Sequence, residues 1–315
     1  SMPAEMMPMP RSAQHGLPEA RGRLRLALVA MLLPLAASAA PPPDRHSCQA
    51  SHRLVVTEAR IAHEPGDVTG LATAIADRLA GRLEAAGQQI VDVVPPTRSQ
   101  GLSPAMDAFS RHAAPYFIRL EADDMGTQGR PSAFLLMPDS YRPRAGQLTA
   151  TLDDGAQGAR IGTWQQDLEP SDGEPYSTQA DAHAAAFWQS EWGASVDVGI
   201  DVLAAKILDT IRCRPLVGRI LSTQQQGGAT ELRIDLGRED GLHAGDRLAI
   251  IDPGVPADWL GVNLLTRPAL ETTAGPVREP RSLGSGEVTY LGERDSTLRY
   301  RGGHAVESGD LVQVR

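Results

Sequence analysis

Paired aspartates and histidines are the residues whose types could support acid–base or metal chemistry in this chain. The aspartate pairs are Asp123-Asp124 and Asp153-Asp154. Adjacent residues of a strand point to opposite faces of a sheet, so neither pair readily forms a shared site. The eight histidines are scattered along the sequence. We therefore expect no catalytic residue, no metal site and no cofactor.

The signatures of several enzyme classes are absent. Lys206 is the only lysine, which excludes a Walker A loop and confines any lysine nucleophile to one position. The sequence also lacks the H-E-x-x-H, G-x-S-x-G and G-x-G-x-x-G patterns. A formal net charge of −9 argues against a nucleic-acid-binding protein, which would carry a basic face. These observations predict a protein that is not an enzyme and binds no nucleic acid.

The amino terminus has the pattern of a signal peptide. Four arginines between positions 11 and 25 precede an apolar stretch at 26–35, and Ala37-Ser38-Ala39 forms a cleavage site. The alternative is a transmembrane anchor, but the apolar stretch is too short to cross about 30 Å of hydrocarbon. We expect residues 1–39 to be removed, and the mature chain to be periplasmic with no direct membrane insertion.

Cys48 and Cys213 are the only cysteines, and an oxidising compartment favours a disulfide between them. The alternative is a redox-active dithiol, but the chain has no C-x-x-C motif. A disulfide would join the two ends of a first domain at 48–214. Pro215 then blocks helix continuation, and 215–315 would form a second domain.

The first predicted domain mixes helices and strands. Apolar residues at helical spacing predict one helix that begins after Asp67 and ends before Gly87, and a second helix that ends at Cys213. Strands are predicted near 54–61, 90–94, 116–120, 132–137, 146–152 and 160–164. This order predicts an α+β domain with helices packed on one face of a sheet.

The second predicted domain consists of short strands separated by turns, which favours a small barrel of five or six strands. A Pro/Gly-rich loop occupies 252–284. Two similar segments contain Gly245-Asp246 and Gly309-Asp310. Their carboxylates could serve catalysis or metal binding, but a pair of similarly built turns explains them better. In such a turn glycine supplies the positive φ and aspartate bonds to local amides.

Phe187, Trp188 and Trp192 form the densest aromatic cluster in the sequence. Packing of the following helix onto the sheet explains such a cluster. The alternative is a partner contact, because tryptophan is favoured at interface hot spots.

The order of three motifs resembles the flagellar assembly protein T family, in its middle and carboxy-terminal domains. The motifs are F-W-Q-S-E-W-G at 187–193, C-R-P-L at 213–216, and I-D-L-G-R at 234–238 followed by G-L-x-x-G-D at 241–246. The resemblance implies a domain like the amino-terminal domain of TolB followed by an SH3-like β-barrel. It also implies a structural role in the H-ring of the flagellar basal body. The implied partners are copies of the chain in a ring and other basal-body ring proteins.

Two other functions remain open on the sequence. The protein could be a soluble periplasmic adaptor or binding module with a TolB-like domain and no flagellar role. It could also be a secreted hydrolase, although no nucleophile–base pair is visible in the sequence. Fold class alone does not decide between these functions.

Overall fold

The computed structural model describes residues 48, 51–96, 104–126, 144–169, 178–254 and 279–314, and the backbone of 129–130 and 140–141. The predicted signal peptide at 1–39, the predicted strand at 132–137 and most of the predicted loop at 252–284 lie outside these residues. A disulfide joins Cys48 and Cys213, whose Cα atoms are 4.0 Å apart, as predicted.

The elements up to Ile211 combine strands and helices. In chain order they are β1 (Arg53–Thr57), β2 (Arg60–Ile61), β3 (Val68–Thr69), α1 (Leu71–Ala85), β4 (Gln89–Val94), α2 (Pro104–His112), β5 (Tyr116–Asp123), β6 (Gly129–Arg130), β7 (Ser140–Tyr141), β8 (Gln147–Asp154), β9 (Arg160–Asp167), β10 (Ala180–Asp181), α3 (Ala185–Gln189) and α4 (Glu191–Ile211).

The main sheet has the order β4-β1-β5-β8-β9, and β2 pairs with β5. Strands β4, β1 and β5 are parallel to one another. Strands β5, β8 and β9 are antiparallel. Helices connect the parallel strands, because a parallel connection needs a crossover. The protein is therefore a mixed α+β structure, as predicted.

Helices cover both faces of this sheet, so the prediction of helices on a single face was wrong. The apolar stripes of α1 and α4 enter the main core against one face, with Ile75 and Ile200 each 1% exposed. On the opposite face, Ala105 and Ala108 of α2 pack on Val55 and Phe117. The cause lies in β1, whose consecutive apolar residues need cover on both sides.

Helix α1 begins later than the sequence predicted. Asp67 was expected to cap it, but Gly70 with a φ of 70° is its N-cap residue. Residues Val68–Thr69 instead form β3, which pairs with β10. Asp67 forms an ion pair with Arg144, whose side chain is 2% exposed. Gly87, at a φ of 86°, follows the end of the helix as predicted.

The elements after Ile211 form a closed six-stranded barrel, as the sequence predicted. They are β11 (Val217–Gln226), β12 (Ala229–Ile234), the 3₁₀ helix η1 (Arg238–Asp240), β13 (Arg247–Asp252), β14 (Arg281–Leu291), β15 (Ser296–Tyr300) and β16 (Leu311–Val314). The barrel order is β11-β12-β15-β14-β13-β16. Alternate residues such as Ile220, Leu232, Ile250 and Leu298 fill its interior. Across the described ranges, we find no helix with the length and apolar character needed to cross a membrane.

Candidate functional site

The paired aspartates have separate structural partners. Asp123 and Asp124 are both exposed at the end of β5. Asp153 is buried and forms an ion pair of 2.8 Å with Arg119. Asp154 accepts a hydrogen bond of 2.8 Å from the backbone amide two residues further on. Neither pair forms a shared site, because each carboxylate of the second pair serves its own local contact.

The aromatic cluster lies in the core. Phe187, Trp188 and Trp192 are 3%, 9% and 3% exposed. Phe187 meets both indoles edge-on, with ring centroids 4.9 and 5.6 Å apart. A Cβ at Gly193 would lie 2.0 Å from the Phe187 carbonyl oxygen, so this close approach of α3 and α4 needs glycine. The rings serve packing here, and a partner contact through them stays a prediction.

Two arginines lie over the indoles of this cluster. The Arg78 guanidinium is 4.1 Å from the centre of the Trp188 ring. The Arg144 guanidinium is 4.7 Å from that of Trp192 and also pairs with Asp67. The first of these cation–π contacts joins α1 to α3, and the second joins the chain before β8 to the start of α4. They stabilise the fold and leave no open aromatic surface at this point.

The repeated glycine–aspartate segments form equivalent turns. Gly245 has a φ of 89° and Gly309 a φ of 102°, a region that glycine favours. A carboxylate oxygen of Asp246 accepts a hydrogen bond of 2.7 Å from the amide three residues earlier. Asp310 accepts the corresponding bond at 2.9 Å. Both aspartates therefore close a local turn.

The two turns also contact their neighbouring strands in the same way. The amide of Gly245 donates to the Val288 carbonyl, and the amide of Gly309 donates to the Ile220 carbonyl, both at 3.0 Å. In return, Val288 and Ile220 donate to the carbonyl of the following aspartate, at 2.9 and 2.8 Å. The sequence repeat therefore corresponds to a repeated structural unit of the barrel.

Asp310 differs from an ordinary turn aspartate in its ionisation. Burial raises its pKa to about 6, although the hydrogen bond from the Glu307 amide opposes the shift. The negative charges of Asp252 and Glu307 raise the pKa further. A proton can therefore bind this carboxylate at mildly acidic pH, while the contact that the structure shows for it is the hydrogen bond that closes the turn.

A buried ionic junction joins the barrel to the sheet, and the sequence analysis missed it. Arg219 of β11 contacts Asp235 at 2.7 Å and donates to the Ser110 carbonyl of α2 at 3.1 Å. Arg53 of β1 donates to the Asp235 carbonyl at 2.9 Å and lies 3.3 Å from Asp240. Burial raises the pKa of Asp240, and the Arg53 charge lowers it in opposition.

The sequence contains only a weak indication of this junction. Asp235 falls between apolar strand residues in I-D-L-G-R, where a charged residue needs a partner. The partners lie 16 and 182 residues away, so periodicity and spacing could not identify them. Within the described residues, the arginines donate to the carboxylates and to backbone carbonyls, and both carboxylates also accept hydrogen bonds from backbone amides.

His52 is a second buried titratable group that the sequence analysis did not single out. It is 0% exposed and packs edge-on against Tyr116, with ring centroids 5.1 Å apart. Burial lowers its pKa to about 4, the nearby Ile211 carbonyl raises it partly, and the Arg214 charge lowers it. Within the described chain, neither ring nitrogen has a hydrogen bond of good geometry. The environment therefore favours neutral imidazole.

The described residues contain no cluster of His, Cys, Asp and Glu that could hold a metal ion. An open cavity of about 460 Å³ lies beside Cys48 and is lined in part by Leu208 and Arg212. The cavity is open to solvent, and its polar side chains, Gln88, Asp209 and Arg212, include no nucleophile, since Cys48 is held in the disulfide.

No family model matches the chain, and no curated protein matches it. A PelC dodecamer from Paraburkholderia phytofirmans has 15% identity and a TM-score of 0.32, covering 52% of this chain and 90% of that one. A lipoprotein from Neisseria meningitidis has 9% identity and a TM-score of 0.29, covering 50% of this chain and 99% of that one. A DUF330 protein from Xanthomonas campestris has 11% identity and a TM-score of 0.26, covering 54% and 87%. The flagellar resemblance receives no support from the family models or the curated proteins.

Proposed function

We propose that this protein is a periplasmic envelope module that acts by association and not by catalysis. The observation that carries the proposal is the buried junction of Arg219, Asp235, Arg53 and Asp240 between barrel and sheet. Its charges are used to hold two parts of the fold in one arrangement. Such an arrangement suits an adaptor that presents two surfaces in fixed geometry.

Export supports the periplasmic location. The signal pattern at 1–39 predicts secretion. The disulfide between Cys48 and Cys213 is of the kind that persists in oxidising compartments. We retain the division at 48–214 and 215–315 as a proposal, with the ionic junction crossing it.

Complementation of a deletion strain tests association against catalysis. We expect the full chain to correct the envelope phenotype of the deletion strain, and Asp124→Asn and Asp154→Asn to correct it equally. In this proposal neither carboxylate transfers a proton. The amide oxygen that Asp154→Asn introduces can still accept the hydrogen bond of the turn. Loss of complementation by either variant, with an unchanged melting temperature, would contradict the proposal and favour a hydrolase.

A narrower second proposal is a structural role in the flagellar H-ring. It is supported by the order of the sequence motifs between positions 187 and 246, which resembles that of flagellar assembly protein T. It includes a TolB-like first domain, an SH3-like barrel, and ring partners. Deleting the gene should then abolish or impair motility and remove ring density near the outer membrane. Normal motility with complete basal bodies would reject the flagellar role and leave the adaptor role standing.

A further inference from the structure

Among the described strands, β9 lies at one edge of the main sheet. It lies last in the order β4-β1-β5-β8-β9, and no other described strand pairs with its outer side. The Leu168 amide donates to the Gly146 carbonyl at 2.8 Å, which defines the inward-pointing positions. Inward and outward residues alternate in an antiparallel ladder. The backbone amides and carbonyls of Thr163, Gln165 and Asp167 therefore point outward, and the Asp167 carbonyl accepts a hydrogen bond of 2.9 Å from the Gln166 side chain.

An outward row of amides and carbonyls can accept another strand. Natural proteins block such edges with charged residues, proline, β-bulges or a covering segment. The central segment of β9, Gly162 to Gln166, contains no charged residue and no proline, and the register shift against β8 lies before Gly162. Thr163 and Trp164 lie in this segment and are of types that favour strands. The edge is therefore competent to pair with another strand.

The charges at the two ends of β9 select a second copy of the same strand. Arg160 is exposed at one end, where its guanidinium also lies 3.8 Å from Asp153 of the same chain. Asp167 is exposed at the other end, where its carboxylate also accepts a hydrogen bond of 2.7 Å from the Gln147 side chain. Glu169 and Glu191 lie beside Asp167 along the same groove. Antiparallel pairing about a two-fold axis near Trp164 places Arg160 of one copy beside the acidic end of the other, at both ends. Parallel pairing would place like charges together.

An exposed apolar side chain lies beside this edge. Val198 of α4 is 62% exposed, one of the few large apolar side chains exposed in the described chain. It lines a groove of about 410 Å³ next to Asp167. Helix α4 packs on β8 and β9, so pairing of two β9 strands brings the α4 helices of both copies to the same side. Val198 would then lose water contact against the partner.

We propose that two copies of this chain associate through antiparallel pairing of their β9 strands, giving a sheet that continues across the dimer. The interface combines outward backbone groups, two reciprocal Arg160–Asp167 contacts and Val198. It goes beyond the proposed function, because an adaptor could act as a monomer. A two-fold interface is self-complementary, and the charge order of β9 has that property.

Reciprocal charge reversal tests this pairing. The mature protein is purified from the periplasm and its mass is followed by sedimentation between about 1 and 100 µM. We expect a monomer–dimer equilibrium in the unaltered protein. Arg160→Glu alone and Asp167→Arg alone should each raise the dimer Kd at least about fivefold, because two attractive pairs become repulsive. The double variant should return the Kd to within about threefold of the starting value.

Two further variants separate the edge from general effects. Gln165→Pro removes an outward amide without removing a hydrogen bond to β8, so it should abolish the dimer. Arg238→Glu reverses an exposed charge that pairs with Glu293 on the barrel, and it should leave the Kd unchanged. A monomer at all concentrations, failure of the double variant to recover, or equal loss with Arg238→Glu would each overturn the proposal.

Discussion

Neutral His52 makes the folded protein sensitive to mildly acidic pH. Burial lowers its pKa from 6.5 to about 4 in the folded state, whereas the unfolded chain exposes an ordinary imidazole. Between those values the unfolded state binds the additional proton, so the free energy of unfolding falls as the pH falls. The loss begins near pH 6.5 and is complete below about pH 4.

The size of this loss follows from the shift. Each unit of pKa difference corresponds to about 1.4 kcal/mol. From pH 7.5 to 5.0 the imidazole should lower the free energy of unfolding by about 2 kcal/mol. His52→Phe keeps a ring against Tyr116 and removes the titration. The variant should therefore lose about 2 kcal/mol less than the unaltered protein over this range.

Urea unfolding of both proteins at pH 7.5 and 5.0 measures the difference. Other titrating groups, including Asp310, are present in both chains and cancel in the comparison. His63→Gln is the matched control, because His63 is exposed, with a side chain at 75%. It should retain the original pH response. Equal losses in the unaltered protein and His52→Phe would refute the reasoning, as would a nuclear magnetic resonance titration of His52 near pH 6.5.

Three further changes test other parts of the structure. Asp310→Asn should raise stability at pH 7.5 and less so at pH 5, because a carboxyl pKa raised from 3.8 to about 6 costs stability progressively between those values and in full only above them; an unchanged or larger gain at pH 5 would contradict this. Arg219→Met should lower the free energy of unfolding by about 3 kcal/mol in urea, since Asp235 stays buried with a weaker partner, and a change below about 1 kcal/mol would show that the junction contributes little. Replacing Cys48 and Cys213 by serine should cost about 2–5 kcal/mol in calorimetry or urea unfolding, because the bridge closes a long loop; stability unchanged from the oxidised protein would argue against that contribution.

Local signals were sufficient for many of the elements. The apolar spacing along α4 and the glycine at position 87 indicated the right element types because helical periodicity and positive φ are local properties. The alternating strands after Ile211 predicted a closed barrel of five or six strands because short strands of this kind bury one face each. The glycine–aspartate turns were also predictable, since their hydrogen bonds span only three residues.

Contacts between distant segments could not be predicted in the same way. Asp67 is a plausible helix cap by residue type. In the structure it instead pairs with the buried side chain of Arg144, 77 residues away. Helix α2 covers the second sheet face because β1 is apolar on both sides, which the prediction of helices on one face overlooked. In both cases, a tertiary partner outweighed the local preference.

The sequence by itself determined the export pattern, the pairing of the only two cysteines, the mixed α+β class followed by a barrel, and the absence of familiar catalytic motifs. These follow from composition, periodicity and short spacing. Only the tertiary structure decided the burial of His52, the ionic junction around Asp235 and the position of β9 at the edge of the sheet among the described strands. Burial, ion pairing and strand order depend on residues that come together from far apart in the chain, and a local sequence pattern does not specify which distant residues meet.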